Sequence, residues 1–388
     1  MMMSSSLPAA LLLAFGVTLP IVAQGPAAPR TLGKPTATFD AEFSRVAGLV
    51  ELPDGRVVIV DSKDHLLFLG DPATGRVKQL GRQGAGPNEY RAIYQVSRVR
   101  GDTLLVHDTG NNRLLRVAPD GTLAGSIPFP QPTGQEIRVG MAPARGADAL
   151  GRLYWDHPEV NRGENGQFKR QLESKVFRWL PGSDSIELVA TMADHAPSMH
   201  TKRYFPFAER DAFVVAPSGR VGVLRAATYR LDWIERGVVV ASGPPIGFTR
   251  LSVTARDRER YRADRAANPV TASFRGPPGQ RAAPTEEALR EMRSAYPDDM
   301  FPQFLPPFVE QGAHLSPSGE IWVMRSTTTG LGEQPVDLLT PDGRRRETLA
   351  LAANTRIVSL ARRGIYVVRE EEDGIQRILR YAWPTGLR

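Results

Sequence analysis

One nine-residue pattern recurs six times along this 388-residue chain: a turn, an apolar strand, and a polar residue that closes it. It reads PDGRVVIVD at Pro53–Asp61, RGDTLLVHD at Arg100–Asp108 and, more loosely, ALGRLYWDH at Ala149–His157. The later copies are PSGRVGVLR at Pro217–Arg225, PSGEIWVMR at Pro317–Arg325 and RRGIYVVRE at Arg362–Glu370, with Arg369 in the closing slot. Such repetition means that one supersecondary unit is copied and that each copy buries its apolar face against the next.

Each copy follows one apolar stretch and precedes two more, so the unit has four strands. In the second unit they are Ile93–Val99, Thr103–Val106, Arg113–Val117 and Leu123–Ile127, separated by Gly-Asp, Asp-Thr-Gly-Asn-Asn and Pro-Asp-Gly turns. Those turn residues accept positive φ or bond their own backbone. An antiparallel meander of roughly 45 residues is the size of a propeller blade. The fold class is therefore all-β: a six-bladed β-propeller of four-stranded blades, occupying residues 35–388 as a single domain. A content of 36 Gly and 32 Pro suits many short strands.

The sixth unit has only three strands, Arg356–Ala361, Gly364–Arg369 and Ile375–Tyr381, before the chain ends. An alternating stretch at Pro35–Glu42 is unclaimed, and we expect it to supply the missing outer strand, because an unpaired edge there leaves the ring open. Two units are stretched. The third carries a polar loop around Val160–Gln171, and residues 249–305 form an insertion between the fourth and fifth. In that insertion Thr285 is placed to cap a helix bearing Leu289, Met292 and Tyr296 on one face, a second helix is expected over Ala255–Ala267, and Phe301–Phe308 returns the chain to the ring. A lid over the mouth and a surface decoration both fit.

Met1–Ala23 has the apolar core and small residues of a signal peptide, although no Lys or Arg precedes Arg30. Its apolar core is too short to span a bilayer. The expectation is a periplasmic or secreted protein with no stable membrane insertion after cleavage. With no cysteine in the chain, disulfides, thiolate metal sites and a cysteine nucleophile are excluded. The net charge of +7 is spread along the chain, without a dense basic run or interleaved aromatics, so nucleic acid is not an expected partner.

The string Val106-His-Asp-Thr-Gly-Asn-Asn-Arg-Leu-Leu-Arg-Val117 resembles the core of an NHL repeat, and Val60–Phe68 is a degenerate version of it. Leu80–Tyr90 is similar to a motif of exported bacterial six-bladed propellers of the NHL-repeat-like type, with Asn88 and Tyr90 where Gly and Phe are usual. The resemblance implies a propeller; it leaves the activity open, because proteins of this kind include binding modules and a few hydrolases and lyases.

No dinucleotide fingerprint, P-loop, metalloprotease helix motif or nucleophile elbow is present. We assign no catalytic residue, metal ligand or cofactor. The closing slot of the repeated strand reads Asp61, Asp108, His157, Arg225, Arg325 and Arg369 around the ring. Equivalent positions in a closed propeller share one radius and height, so this end is expected to present ligand-binding residues, with Arg225, Arg325 and Arg369 facing an anionic group. Strand-end fastening is the competing account, and for Asp108 with Arg113 it is the expected one. The leading function is binding of an undetermined ligand or protein partner through loops and channel mouth. The alternative is a metal-dependent lactonase, whose ion would need Glu310, Asp211 and Asn354 near the starts of the innermost strands.

Overall fold

The computed structural model describes residues 29–129, 142–162, 168–194, 205–267 and 285–387. The signal-peptide reading of residues 1–23 lies outside them. No helix among the described residues is long and apolar enough to cross a membrane.

Six four-stranded antiparallel meanders form the blades. Blade 1 comprises Val46–Glu51, Val57–Asp61, Leu66–Gly70 and Val77–Gln79, and blade 2 comprises Ile93–Arg98, Leu104–Asp108, Arg113–Val117 and Leu123–Pro128. Blade 3 uses Gly146–Ala147, Leu153–Arg162, Phe168–Trp179 and Ile186–Ala193; blade 4 uses Ala212–Val215, Val221–Arg225, Arg230–Glu235 and Val238–Ser242. Blade 5 uses Phe308–Leu315, Ile321–Arg325, Glu333–Leu339 and Arg345–Ala352. The first strand of each blade is innermost, and the second, the strand of the repeated pattern, is covered on both faces: all five residues of Val57–Asp61 and of Leu104–Asp108 are buried. Burial on both sides is why the pattern reads as a continuous apolar run rather than an alternation. The hairpin before it turns through a glycine at positive φ, as at Gly55 (99°) and Gly219 (87°), where a side chain would be strained.

Blade 6 closes the ring as expected. Thr355–Ala361, Gly364–Glu370 and Gln376–Tyr381 are joined by Ala37–Thr38, which pairs antiparallel with the last of them (Ala37 opposite Arg380). Phe39 and Phe43 follow that short strand and are fully buried against Ile59 of blade 1 and Tyr366 and Ile378 of blade 6. Beyond that expectation, Arg30–Thr31 adds a fifth strand to blade 5, parallel to Leu349–Ala350.

The core is divided among the seams. Six apolar clusters each join two neighbouring blades, from Val60, Leu67 and Ile93 between blades 1 and 2 to the Phe39 cluster between blades 6 and 1. A seventh, Val253, Tyr296, Phe301 and Leu305, belongs to the insertion.

Two outcomes concern the stretched units. Of the expected polar loop at Val160–Gln171, residues 163–167 lie outside the described residues, and the flanks are paired strand, with Val160 opposite Arg170 and Arg162 opposite Phe168. Antiparallel pairing continues there past a register shift between Pro158 and Val160, which polar sequence does not prevent. In the insertion the helices are Ala255–Ala267 and Glu286–Ala295. The first opens on a reciprocal cap: Thr254 Oγ1 accepts the Asp257 N–H (3.1 Å), and Asp257 Oδ2 accepts the Thr254 N–H (2.8 Å). Met292, Tyr296, Phe301 and Leu305 pack together with Tyr261, and Phe207 from the crossover between blades 3 and 4 joins them.

Candidate functional site

The closing-slot residues lie on the face that carries the turns between second and third strands. Asp61 is buried and accepts the backbone N–H groups of Ser44 (2.6 Å), Arg45 and Lys63 (both 3.1 Å), tying the innermost strand to the turn. Burial holds its carboxyl above the usual range against those bonds. Asp108 does the same in blade 2 through the N–H groups of Arg91 and Ala92, adding the Asn111 amide at 2.7 Å and Arg113 at 3.5 Å. The backbone repeats with the chemistry: His65, Asn112 and Tyr229 take φ of 52°, 53° and 41° just before the third strands of blades 1, 2 and 4.

Arg225 and Arg325 bond carboxylates inside their blades. Arg225 binds Asp211 (2.9 Å) and Asp232 (2.8 Å). Arg325 binds Asp337 (3.2 Å) and the Pro307 carbonyl (2.9 Å), with its guanidinium over the rings of Tyr229 and Phe248. Asp232 and Asp337 are equivalent, standing opposite Val223 and Val323 in their third strands. Arg369 pairs with Glu371 at 2.8 Å on the surface, and His157 stands opposite Lys175 in blade 3.

A different pair of cations lies at the channel mouth, where the innermost strands of blades 6 and 1 begin. The Arg356 Nη2 donates to the Val46 carbonyl and to Gln376 Oε1 (3.2 Å); both partners are neutral, and no carboxylate among the described residues lies within 4 Å of it. Arg45 is exposed and likewise has no ion pair among the described residues. Burial, and then the charge of Arg45, pull Arg356 down to about 10, with Glu370 opposing. Burial and the Arg356 charge together push His314, on the innermost strand of blade 5, down to about 4. Across the mouth the cations are neutralised: Arg210 lies between Asp194 (3.1 Å) and Glu310 (3.3 Å), and Arg145 meets Asp156 at 2.5 Å. Among the described residues the arginines at this mouth that have no ion pair thus lie at blades 6 and 1, as Arg356 and Arg45, and continue to the exposed Arg91 of blade 2; Glu370 is the acid whose charge reaches Arg356.

Gln376 organises that side. It is buried, its Oε1 also accepts the Val46 N–H (2.9 Å), and its Nε2 donates to Glu370 Oε2 (3.1 Å). Glu370 in turn faces Arg260 of the first insertion helix at 3.8 Å, and Asp257 of the same helix accepts the Thr329 N–H from blade 5. The insertion therefore rests on the rim beside the site.

Reading strand-closing slots misses Arg45 and Arg356. The signal that finds them is at the innermost strand starts, where Ser44-Arg45-Val46 and Thr355-Arg356-Ile357 repeat a hydroxyl, an arginine and an aliphatic residue. The lactonase constellation does not assemble. Asp211 is taken up by the N–H groups of Ala193 and Ala226 and by Arg225, Glu310 by Arg210, and Asn354 offers its backbone carbonyl to Glu370. Among the described residues no three His, Asp or Glu side chains converge in a manner that could hold a metal ion.

No protein-family model matches the chain, and no curated protein does. Among solved structures it is similar to a luciferin-regenerating enzyme (10% identity, TM-score 0.46, 92% of this chain and 97% of that one). It is also similar to the PQQ-bound aldose sugar dehydrogenase of Streptomyces coelicolor (13%, TM-score 0.43, 92% and 99%). A third is the virginiamycin B lyase of Staphylococcus aureus (9%, TM-score 0.33, 92% and 88%). None of these likenesses carries a functional inference. The six-bladed propeller itself follows from the strand topology.

Proposed function

We propose that this chain is an exported propeller of the NHL-repeat-like type that binds an anionic ligand at the mouth of its channel, on Arg356 and Arg45. The observation that supports it is a half-buried guanidinium whose hydrogen-bond partners among the described residues are a carbonyl and an amide, beside a second guanidinium that has no ion pair among them. A desolvated charge with only neutral partners is costly, and an incoming anion offsets that cost while gaining charge-assisted hydrogen bonds. Arginine presents a planar fork suited to carboxylate, sulfate or phosphate. The leader-like Met1–Ala23 and the NHL-like string at Val106–Val117 support the export and family parts of the reading.

The test is calorimetric titration of the chain starting after Ala23 with citrate, galacturonate, sulfate and inorganic phosphate at low ionic strength. We expect saturable binding of at least one, weakened by salt and lost in Arg356→Gln, while Arg369→Gln retains it. Equal binding by Arg356→Gln and wild type overturns the proposal.

A further inference from the structure

We propose that the helix Ala255–Ala267 is a lid on the anion site, and that Glu370 is the built-in carboxylate that engages its cation, Arg260, until a ligand does. This rests on the reading of Arg356 and Arg45 as the site.

Three observations converge. The helix is anchored at its start, where Asp257 closes the cap with Thr254 and also holds Thr329 of blade 5. One turn on, the hold is loose: Arg260 meets Glu370 at 3.8 Å, and its other carboxylate, Asp264 on the same helix, is at 3.9 Å. Arg256 lies on the same helix face as Arg260, sits over Gly330 of blade 5, and has no ion pair among the described residues. That face therefore brings two arginines to the rim, one held weakly and one not held by any acid among the described residues.

Glu370 links the lid to the site. One oxygen faces Arg260, the other accepts from Gln376, and the opposite end of the Gln376 amide accepts from Arg356. Glu370 is also the negative charge that stabilises the protonated form of Arg356. One carboxylate thus serves the cation of the lid and the cation of the site. An anion arriving at Arg356 competes with it for both, and Arg260 gains a second acid to turn to. Linkage then requires reciprocity: whatever changes the Arg260–Glu370 contact changes affinity for the anion, and the anion changes the protection of the helix.

The two residues are distinguished by opposite signs. Glu370→Gln removes the competitor and is expected to tighten citrate binding, whereas Arg260→Gln removes a ligand-facing cation and is expected to weaken it, each by about fivefold or more. Both release the helix, so hydrogen exchange of peptides covering residues 255–267 is expected to speed up in each variant without citrate. In the wild type, citrate is expected to slow that exchange. If both variants bind citrate as the wild type does and exchange at its rate, while Arg356→Gln loses binding, the lid is overturned and the site stands. If the wild type binds none of the anions tested, site and lid fall together.

Discussion

The Tyr229 hydroxyl of blade 4 donates to Asp337 Oδ2 of blade 5 across 2.7 Å, and both side chains are fully buried. It is a polar bond set inside an apolar seam. Burial, with the Asp337 charge, raises the phenol and keeps it a donor, and the carboxylate is completed by Arg325 (3.2 Å) and Thr348 (2.6 Å). We predict that Tyr229→Phe costs about 1.5 to 3 kcal/mol, the range for a hydrogen bond to a charged group. Asp337→Ala, which leaves Arg325 without its acid, should cost more, about 3 to 5 kcal/mol. Urea denaturation of the three proteins checks both values and their order.

Ring closure rests on Phe39 and Phe43, each about 1% exposed, more than on the two-residue strand ahead of them. Phe39→Ala is expected to destabilise by about 3 to 5 kcal/mol through the cavity it leaves between blades 6 and 1. A chain starting at Gly33, which lacks Arg30–Thr31 but keeps Phe39, should lose much less. Chemical denaturation midpoints that put the truncation below Phe39→Ala would contradict this account of closure.

Acid should weaken the fold through its buried histidines, His65 in part and His107 and His314 most. Burial pushes His107 down to about 3, and burial with the Arg356 charge pushes His314 down to about 4, from an ordinary value of 6.5. Between those limits the unfolded chain binds protons that the folded chain refuses, so stability is complete above about pH 6.5 and falls as pH drops. The slope is at most about 1.4 kcal/mol per pH unit for each histidine. For His107 protonation also forfeits the Ala144 N–H bond that its Nε2 accepts at 3.3 Å. Stability measured by denaturant between pH 7 and 4 should flatten in His314→Gln, and an unchanged slope would remove His314 from the account.

The cap of the first insertion helix offers a local test. Thr254→Ala removes the hydroxyl that accepts the Asp257 N–H and should cost about 1 kcal/mol. Hydrogen exchange should locate the effect in residues 255–267 and leave the blades unchanged.

The blades were legible because their rules are local. A run such as Val57–Asp61, bounded by a turn glycine and a polar stop, reports period, burial and turn chemistry at once, and six copies of it set the blade count. The closing strand at Ala37–Thr38 was legible by the same logic, since one unit lacked an edge. The site was much less so. Asp61, Asp108, Arg225 and Arg325 look alike in sequence as charges at strand ends, yet each is fastened inside the propeller by groups from other strands or turns. Whether an arginine is neutralised depends on what faces it: Arg225 meets Asp211 and Asp232, whereas Arg356 meets a carbonyl and an amide. By itself, then, the sequence determined the strands, the turns, the repeat and the ring, all of which follow from side-chain periodicity and backbone preference. Only the tertiary structure decided which arginines have no ion pair among the described residues and that Glu370 stands between Arg260 and Arg356. Charge balance is a sum over neighbours that the fold brings together from distant parts of the chain.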